Sequence, residues 1–297
     1  MDTKYLVTLK TILETGSFQK AASKLNYTQS TVTFHIQQLE KEFSLKLFEK
    51  IGRNMELTES GKDILPFIDA ILQNAEQITN YKKDISEITG TLRLVTTDAI
   101  FIYLMQPIIK AFMHTAPNAR LMFNCLPSEE INEAIINGSA DIGVDCDKGN
   151  FPNSLIHEPA HPFQACLIAS PHIDLNERDF ITPHQKKPFS ILCNELKANY
   201  HVAIIKYLGQ KDIELNPYMK LQSIEAVKRS VINGLGIAYV PEFTVREELK
   251  NGYLIQLKTE LDGKSFPSLF VYHKNKWLSP QMKLALQILI EYSKNDF

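Results

Sequence analysis

Between Ser17 and Phe43 the chain reads as two short helices with almost no chain between them, and few folds accommodate that. Phe18 to Leu25 forms the first, with Ser17 as its N-cap and Ala21-Ala22 small enough for a close helix crossing. Asn26-Tyr27 supplies the turn. From Thr28 the chain is helical again, with Val32, Ile36, Leu39 and Phe43 recurring as a buried stripe. A helix over residues 3–15 precedes them, with Tyr5, Leu6, Leu9, Ile12 and Leu13 on one face. Three helices in this order predict a helix-turn-helix, whose last member enters the major groove of DNA.

The outward face of that last helix carries Gln29, Ser30, Thr33, Phe34 and Gln37, whose amides and hydroxyls reach base edges. Thr28 or Gln29 at the helix start can set backbone N–H groups against a phosphate. From Thr15 to Leu39 there is neither Asp nor Glu. The whole chain carries 32 basic and 34 acidic residues, so any affinity for DNA has to be local, and this stretch provides the place. Lys50 to Leu57 reads as a small hairpin with Gly52-Arg53-Asn54 at its tip. Lys50 and Arg53 there suit the DNA backbone or minor groove, which makes the motif a winged helix-turn-helix.

The 297 residues exceed one typical domain. "MDTKYLVTLKTILETG" has helical spacing rather than the apolar run of a signal peptide, and no stretch is long and apolar enough to span a membrane. Cys125, Cys146, Cys166 and Cys193 lie far apart without a CxxC pair, which predicts free thiols in a cytoplasmic protein. A long helix is expected from about Thr58 to Ile88, with Ile64, Ile68, Ile71, Ala75, Ile78 and Ile85 on one face, interrupted by Lys82. So much apolar face predicts a pairing helix between protomers, kinked or delayed at its start by Pro66.

After Gly90 strands and helices alternate. "TLRLVTT", "ARLMFNCL" and "ADIGV" read as strands around helices at 100–114 and 129–137. "QACLIAS", "FSILC" and "GIAYVP" read as a second set with helices at 198–208 and 223–233. "SLFVYHKNK" and a helix over 279–293 close the chain. These βαβ units predict two similar α/β lobes with parallel sheets, and a ligand crevice between them.

"GSFQKAASKLNYTQSTVTFHIQQLEKEFSLKLFEKIGRNMELTESG" resembles the N-terminal signature of the LysR-type transcriptional regulators. The matching positions are Ser17-Phe18, Ala21-Ala22, Leu25, Thr28-Gln29, Val32-Thr33, Ile36, Leu39-Glu40, Leu47-Phe48, Leu57-Thr58 and Gly61. "NGSADIGV" (137–144) and "VINGLGIAYVP" (231–241) resemble later landmarks. Thr33 replaces the family's usual Ser, and Phe34 stands where a basic residue is frequent.

The resemblance implies an α/β protein overall. Its parts are a winged helix-turn-helix (1–58), a linker and dimerisation helix (59–90) and a two-lobed effector-binding domain (91–297). That last domain resembles periplasmic binding proteins, with one lobe at about 91–161 and 266–297 and the other at about 162–265. The resemblance also implies a homodimer or homotetramer on promoter or operator DNA, contact with RNA polymerase, and a small-molecule effector between the lobes. The effector site maps to Thr97 and Ser128, each ahead of a helix, and to Asn194 and the "NGLG" turn of the second lobe. Asp98, Glu129 and Glu130 beside them oppose an anionic effector.

Other readings rest on single features. "HEPAH" (157–161) satisfies HExxH, but Pro159 and Pro162 forbid the helix that a zinc peptidase needs, so an extended crossover is expected and no metal. No GxSxG, Walker or GxGxxG sequence is present, so neither an enzyme nor a bound cofactor is expected. Two further alternatives are a thiol sensor built on Cys193 and a DNA-binding protein whose second domain only oligomerises.

Overall fold

In the computed structural model, residues 2–51, 54–80, 87–146 and 152–294 are described. They fall into two compact units, Met1–Lys83 and Asp84–Phe297.

The first unit is built from α1 (Thr3–Thr15), α2 (Phe18–Leu25), α3 (Gln29–Phe43), β1 (Phe48–Ile51), β2 (Asn54–Leu57) and α4 (Glu59–Asn80). Local chemistry sets each boundary. The Asp2 carboxylate accepts from the Lys4 N–H and Gly16 ends α1 at φ 71°. The Ser17 hydroxyl caps α2, and Asn26 ends it in the left-handed region at φ 55°. Thr28 caps α3 through the Thr31 N–H. Such caps are worth about 1 kcal/mol each, so the register of the turn is fixed by short side chains. Leu6, Leu9, Ala21, Ala22, Val32, Ile36 and Leu39 form the core.

β1 and β2 pair antiparallel, with Ile51 opposite Asn54. Asn54 therefore belongs to a strand rather than to the tip; Gly52 and Arg53 lie outside the described residues.

α4 runs through Pro66 without a delayed start. Proline removes one helical N–H bond, which the packing of the first turns offsets: Ile68 is buried, and Ile64, Leu65, Ile71 and Leu72 pack on the same core. Further along, Ile78 is 78% exposed. The expected continuation to Ile88 falls mostly on residues 81–86, with Lys82 and Ile85, which lie outside the described residues; β3 begins at Gly90.

The second unit opens with β3 (Gly90–Thr96), α5 (Asp98–Tyr103), α6 (Met105–Thr115), β4 (Ala119–Cys125), α7 (Ser128–Ile136), β5 (Ile142–Cys146) and β6 (Leu155–Pro159). It continues with β7 (Phe163–Ala169), β8 (Gln185–Cys193), α8 (Asn199–Gln210), β9 (Ile213–Lys220), α9 (Ile224–Ile232), β10 (Ala238–Pro241) and α10 (Arg246–Lys250). β11 (Ile255–Leu257), β12 (Ser265–Phe266), β13 (Ser268–His273) and α11 (Pro280–Ser293) complete it.

One lobe holds a five-stranded sheet in the order β4-β3-β5-β13-β6. β3 runs parallel to β4 and β5, while β13 is antiparallel to β5 and β6. The other lobe has the parallel pair β8-β9, and β7 lies antiparallel to β10, β11 and β12. The sheets are therefore mixed rather than parallel as expected, because β13 and β7 return beside their neighbours without a helical crossover. Other details also differ from the sequence reading. The single helix expected at 100–114 is two, broken at Leu104. β9 was not anticipated, because Pro217 and its polar neighbours lack an apolar alternation. The 157–161 segment is extended as expected, but His157 and Glu158 lie within the edge strand β6 rather than in a crossover. There they point to opposite faces, so the zinc-peptidase arrangement is not formed.

Candidate DNA interface and effector cleft

Helix α3 separates cleanly into two faces. Val32, His35, Ile36 and Leu39 are buried, whereas Thr28, Gln29, Ser30, Phe34 and Gln37 are exposed and Thr33 is half-buried. The Thr33 hydroxyl donates to the Gln29 carbonyl at 3.0 Å, so its proton is engaged within the helix and its oxygen remains an acceptor. Phe34 is 50% exposed and meets Tyr5 edge-on at 6.5 Å, so one side of the ring packs and the other faces outward. Thr28 Oγ1 is within 2.8 Å of both the Ser30 and Thr31 hydroxyls, a polar cluster at the helix start. Lys50 lies exposed on β1.

Two residues to which the sequence assigned no role at the interface, Glu40 (a signature position only) and His35, hold this surface in place. Glu40 Oε1 accepts from the Leu47 and Phe48 N–H groups at 2.9 and 3.4 Å, and Glu40 Oε2 meets Lys46 at 2.8 Å. Burial works against its charge, but these partners outweigh burial and hold the carboxyl below its ordinary value. The end of α3 is thereby tied to the start of the wing.

His35 is the second. It is 4% exposed among Tyr5, Tyr27 and Phe34, with Nδ1 2.8 Å from Thr8 Oγ1. The Thr8 hydroxyl donates to the Lys4 carbonyl at 2.8 Å, so the histidine bond requires the proton on Nδ1. Its sequence signal was present: position 35 lies three residues after Val32 and four before Leu39, on the buried stripe.

In the second unit hydrogen bonds join the neighbourhoods of the three residues expected at the effector site: Ser128 meets Glu195, and Asn194 meets Asp98 beside Thr97. Thr97 caps α5, and Ser128 is the first residue of α7; both are buried. Each is already engaged by the chain itself. The Ser128 N–H and hydroxyl both donate to Glu195 Oε2, at 3.1 and 2.8 Å. Asn194 Nδ2 donates to Asp98 Oδ1 at 3.1 Å, and Asp98 Oδ2 accepts from the Ile224 N–H at 2.6 Å. Each lobe therefore sends a carboxylate to a helix N-terminus of the other, where the helix dipole favours negative charge. Lys197 and Glu129 add an ion pair at 2.9 Å. Tyr103 of the first lobe hydrogen-bonds Glu225 and Lys228 of the second.

Two family models match the chain. The model for the "LysR substrate binding domain" matches residues 86–294. The model for the "bacterial regulatory helix-turn-helix protein, lysR family" matches residues 3–62. The chain belongs to the LysR family. It is a DNA-binding transcriptional regulator with an effector-binding domain.

Among LysR-type relatives, the HTH-type transcriptional regulator YfiE of Escherichia coli K12 is 37% identical, over 98% of each chain. Two solved structures share the fold. CbnR complexed with its target DNA matches with a TM-score of 0.64 and 16% identity, over 98% of this chain and 100% of that one. LysG of Corynebacterium glutamicum with bound effector Arg matches with 0.60 and 18%, over 99% and 98%.

Two of the cysteines of this LysR-type regulator, Cys166 and Cys193, are buried. Burial raises the Cys193 thiol above its ordinary value, against a smaller opposing pull from Lys220, and pushes Cys166 up to about 12. A reactive cysteine needs the opposite shift.

Burial likewise lowers the pKa of His35, reinforced by the Lys4 charge and opposed by Asp2. The folded protein therefore refuses a proton that the unfolded chain accepts. Its stability is insensitive to this group above pH about 6.5 and falls below it, by up to about 1.4 kcal/mol per pH unit. Urea titrations at pH 7.5, 6.5 and 5.5 should show this loss in the native protein and a shallower one in His35→Gln. Identical pH dependence in the two would remove His35 as the cause.

Proposed function

We propose that the exposed face of α3 reads DNA sequence, with Gln29, Ser30, Thr33, Phe34 and Gln37 at base edges in the major groove. Thr28 sets the helix start against a phosphate, and Lys50 with Arg53 anchors the wing to the backbone. The observation that carries this reading is the division of α3: an amide- and hydroxyl-bearing face without a carboxylate, opposite a fully buried stripe. The DNA-bound CbnR structure supports it at the level of fold.

The partners proposed are promoter or operator DNA, further copies of the same chain joined through α4, RNA polymerase, and a small-molecule effector near Thr97, Ser128 and Asn194. The exposed Ile78 and Phe67 on α4 support the pairing role. We assign the functional division as 1–58, 59–90 and 91–297, the place of action as the cytoplasm, and the role as regulation without catalysis. Because Asp98 and Glu195 fill the helix ends of the cleft, an effector there competes with the chain's own carboxylates.

Gln37→Glu tests the DNA face with minimal change of shape. It adds one negative charge to an exposed position. Affinity for operator DNA should fall about tenfold at moderate salt and recover relative to the native protein as salt rises, with thermal stability unchanged. Unchanged affinity across the salt series would move the interface away from α3.

A further inference from the structure

We infer that the second lobe holds a binding site for a small organic cation, an amine on a compact apolar body, at the far end of α9 from the contacts between the lobes. The site is a cavity of about 460 Å³ beside the "NGLG" turn, lined by Gly234 and Gly236 but not by Asn194. That volume lies within the range of about 300–1,000 Å³ found for small-molecule sites. α9 begins at Ile224, whose N–H reaches Asp98 of the first lobe, and ends at Ile232. At about 1.5 Å per residue the helix sets the turn about 12 Å from that contact.

The floor of the cavity is apolar. Ala169 and Ile237 are buried, and Ile173 and Phe189 pack half-buried on the same core. At Gly236 a Cβ would strike the Ser190 carbonyl oxygen, so only glycine lets the turn lie this close to β8. On the other wall, Arg178 Nη2 donates to the carbonyls of Pro171 and Ile173 at 2.8 and 3.1 Å. These bonds fix the loop that follows β7 and brings Ser170 and His172 to the cavity.

Ser170 is 6% exposed, yet its hydroxyl has no hydrogen-bond partner among the described residues and opens into the cavity. Buried hydroxyls are seldom left without a partner, so this one is placed to bond an occupant. The charged side chains of the lining are two carboxylates, Asp174 and Glu177, with no lysine or arginine among them. Asp174 is exposed, and its Oδ1 accepts from the Asn176 N–H at 3.0 Å, which leaves Oδ2 open. Glu177 meets the buried Lys187 at 3.4 Å, and Lys187 also faces the Phe180 ring. One negative charge is thus matched from outside the lining and the other is not, which favours an ammonium over a carboxylate or phosphate. An ammonium bonded to Ser170 Oγ and Asp174 Oδ2 keeps its hydrogen bonds, while its hydrocarbon part covers Ile173 and Phe189. The inference rests neither on the DNA face nor on the effector reading at Thr97, Ser128 and Asn194.

Calorimetry on the full-length protein at pH 7 tests it with 2-phenylethylamine and isopentylamine, both protonated there, and with 3-phenylpropionate as an anion of similar shape. At least one amine should bind saturably at one site per chain, and 3-phenylpropionate at least tenfold more weakly. Asp174→Asn removes the charge at an exposed position, keeps an acceptor for the Asn176 N–H, and should weaken amine binding tenfold or more. Ser170→Ala should weaken it about tenfold as well. Ser128→Ala, at the contact between the lobes, should leave it unchanged. Absence of binding by both amines, equal binding of the anion, binding that survives Asp174→Asn, or an equal loss in Ser128→Ala would each overturn the inference.

Discussion

Gly61→Ala is expected to destabilise the DNA-binding unit by about 2–3 kcal/mol, although alanine is the better helix former. Gly61 lies in the first turn of α4, where an exposed Gly→Ala change would ordinarily stabilise by about 1 kcal/mol. Here a Cβ would stand 2.7 Å from the Leu47 carbonyl oxygen and 2.8 Å from Leu57 Cγ. The carbonyl cannot retreat without loss, because it accepts from the Thr58 N–H at 3.0 Å. The Thr58 hydroxyl also ties Lys46 to the same turn, accepting from the Gly61 N–H at 3.0 Å and donating to the Lys46 carbonyl at 2.5 Å. For a unit of this size the expected loss lowers the melting temperature by roughly 8–20 °C. DNA affinity should fall with it, since the wing starts at Phe48. A variant as stable as the native protein would show that wing and helix do not meet as described.

Lys228→Ala should cost the effector-binding unit about 3 kcal/mol. Lys228 is 6% exposed and its ammonium contacts Glu225 at 2.7 Å and Glu248 at 2.9 Å, besides Tyr103. Removing one partner of a buried ionic cluster leaves the others uncompensated, at about 3–5 kcal/mol. Glu225 is partly exposed, which places the effect at the lower end of that range.

The pH dependence identifies the cause. Burial opposes the charge of Glu225, but Lys228 and Tyr103 outweigh burial and hold its carboxyl below the ordinary value. In Lys228→Met the volume is largely kept while the strongest partner opposing burial is lost, so the folded carboxyl rises above its value in the native protein. A group with a raised folded pKa takes up its proton more readily in the folded state, so the deficit should shrink as pH falls from 7.5 toward 5. Denaturant midpoints of both variants across that range give the answer. A deficit independent of pH would assign the loss to packing.

How much of this was legible in the sequence depends on how far apart the interacting residues lie. The DNA-binding unit is made of local signals. Ser17, Asn26 and Thr28 act within three or four residues of themselves, and Val32, Ile36 and Leu39 repeat at one helical period. These positions carry both the fold and the family resemblance. Gly61 was readable only as a motif letter; its physical reason is the approach of Leu47, fourteen positions earlier.

The contacts between the lobes were legible in outline alone. Thr97 and Ser128 could be placed before helices, but the carboxylates that occupy the facing helix ends come from 126 and 67 residues away. Pairing at that separation leaves no periodic trace. The antiparallel course of β7 was hidden for a similar reason: "QACLIAS" is apolar on both faces and fits a parallel or an antiparallel neighbour equally well. The acids Asp98 and Glu129 were read as opponents of an anionic effector. In the folded chain they are spoken for by Asn194, Ile224 and Lys197.

The central claim is that the outward face of α3 reads base sequence while the wing only positions the protein. Binding of native, Gln29→Ala and Lys50→Ala proteins to an operator and its single-base variants, over a salt series, tests it most directly. Gln29→Ala should erase discrimination at one or two base pairs by about 1–3 kcal/mol and leave the salt slope intact. Lys50→Ala should weaken binding to every variant alike and reduce the slope by about one. If both substitutions lower affinity uniformly, with the base preference unaltered, the recognition assigned to α3 is contradicted.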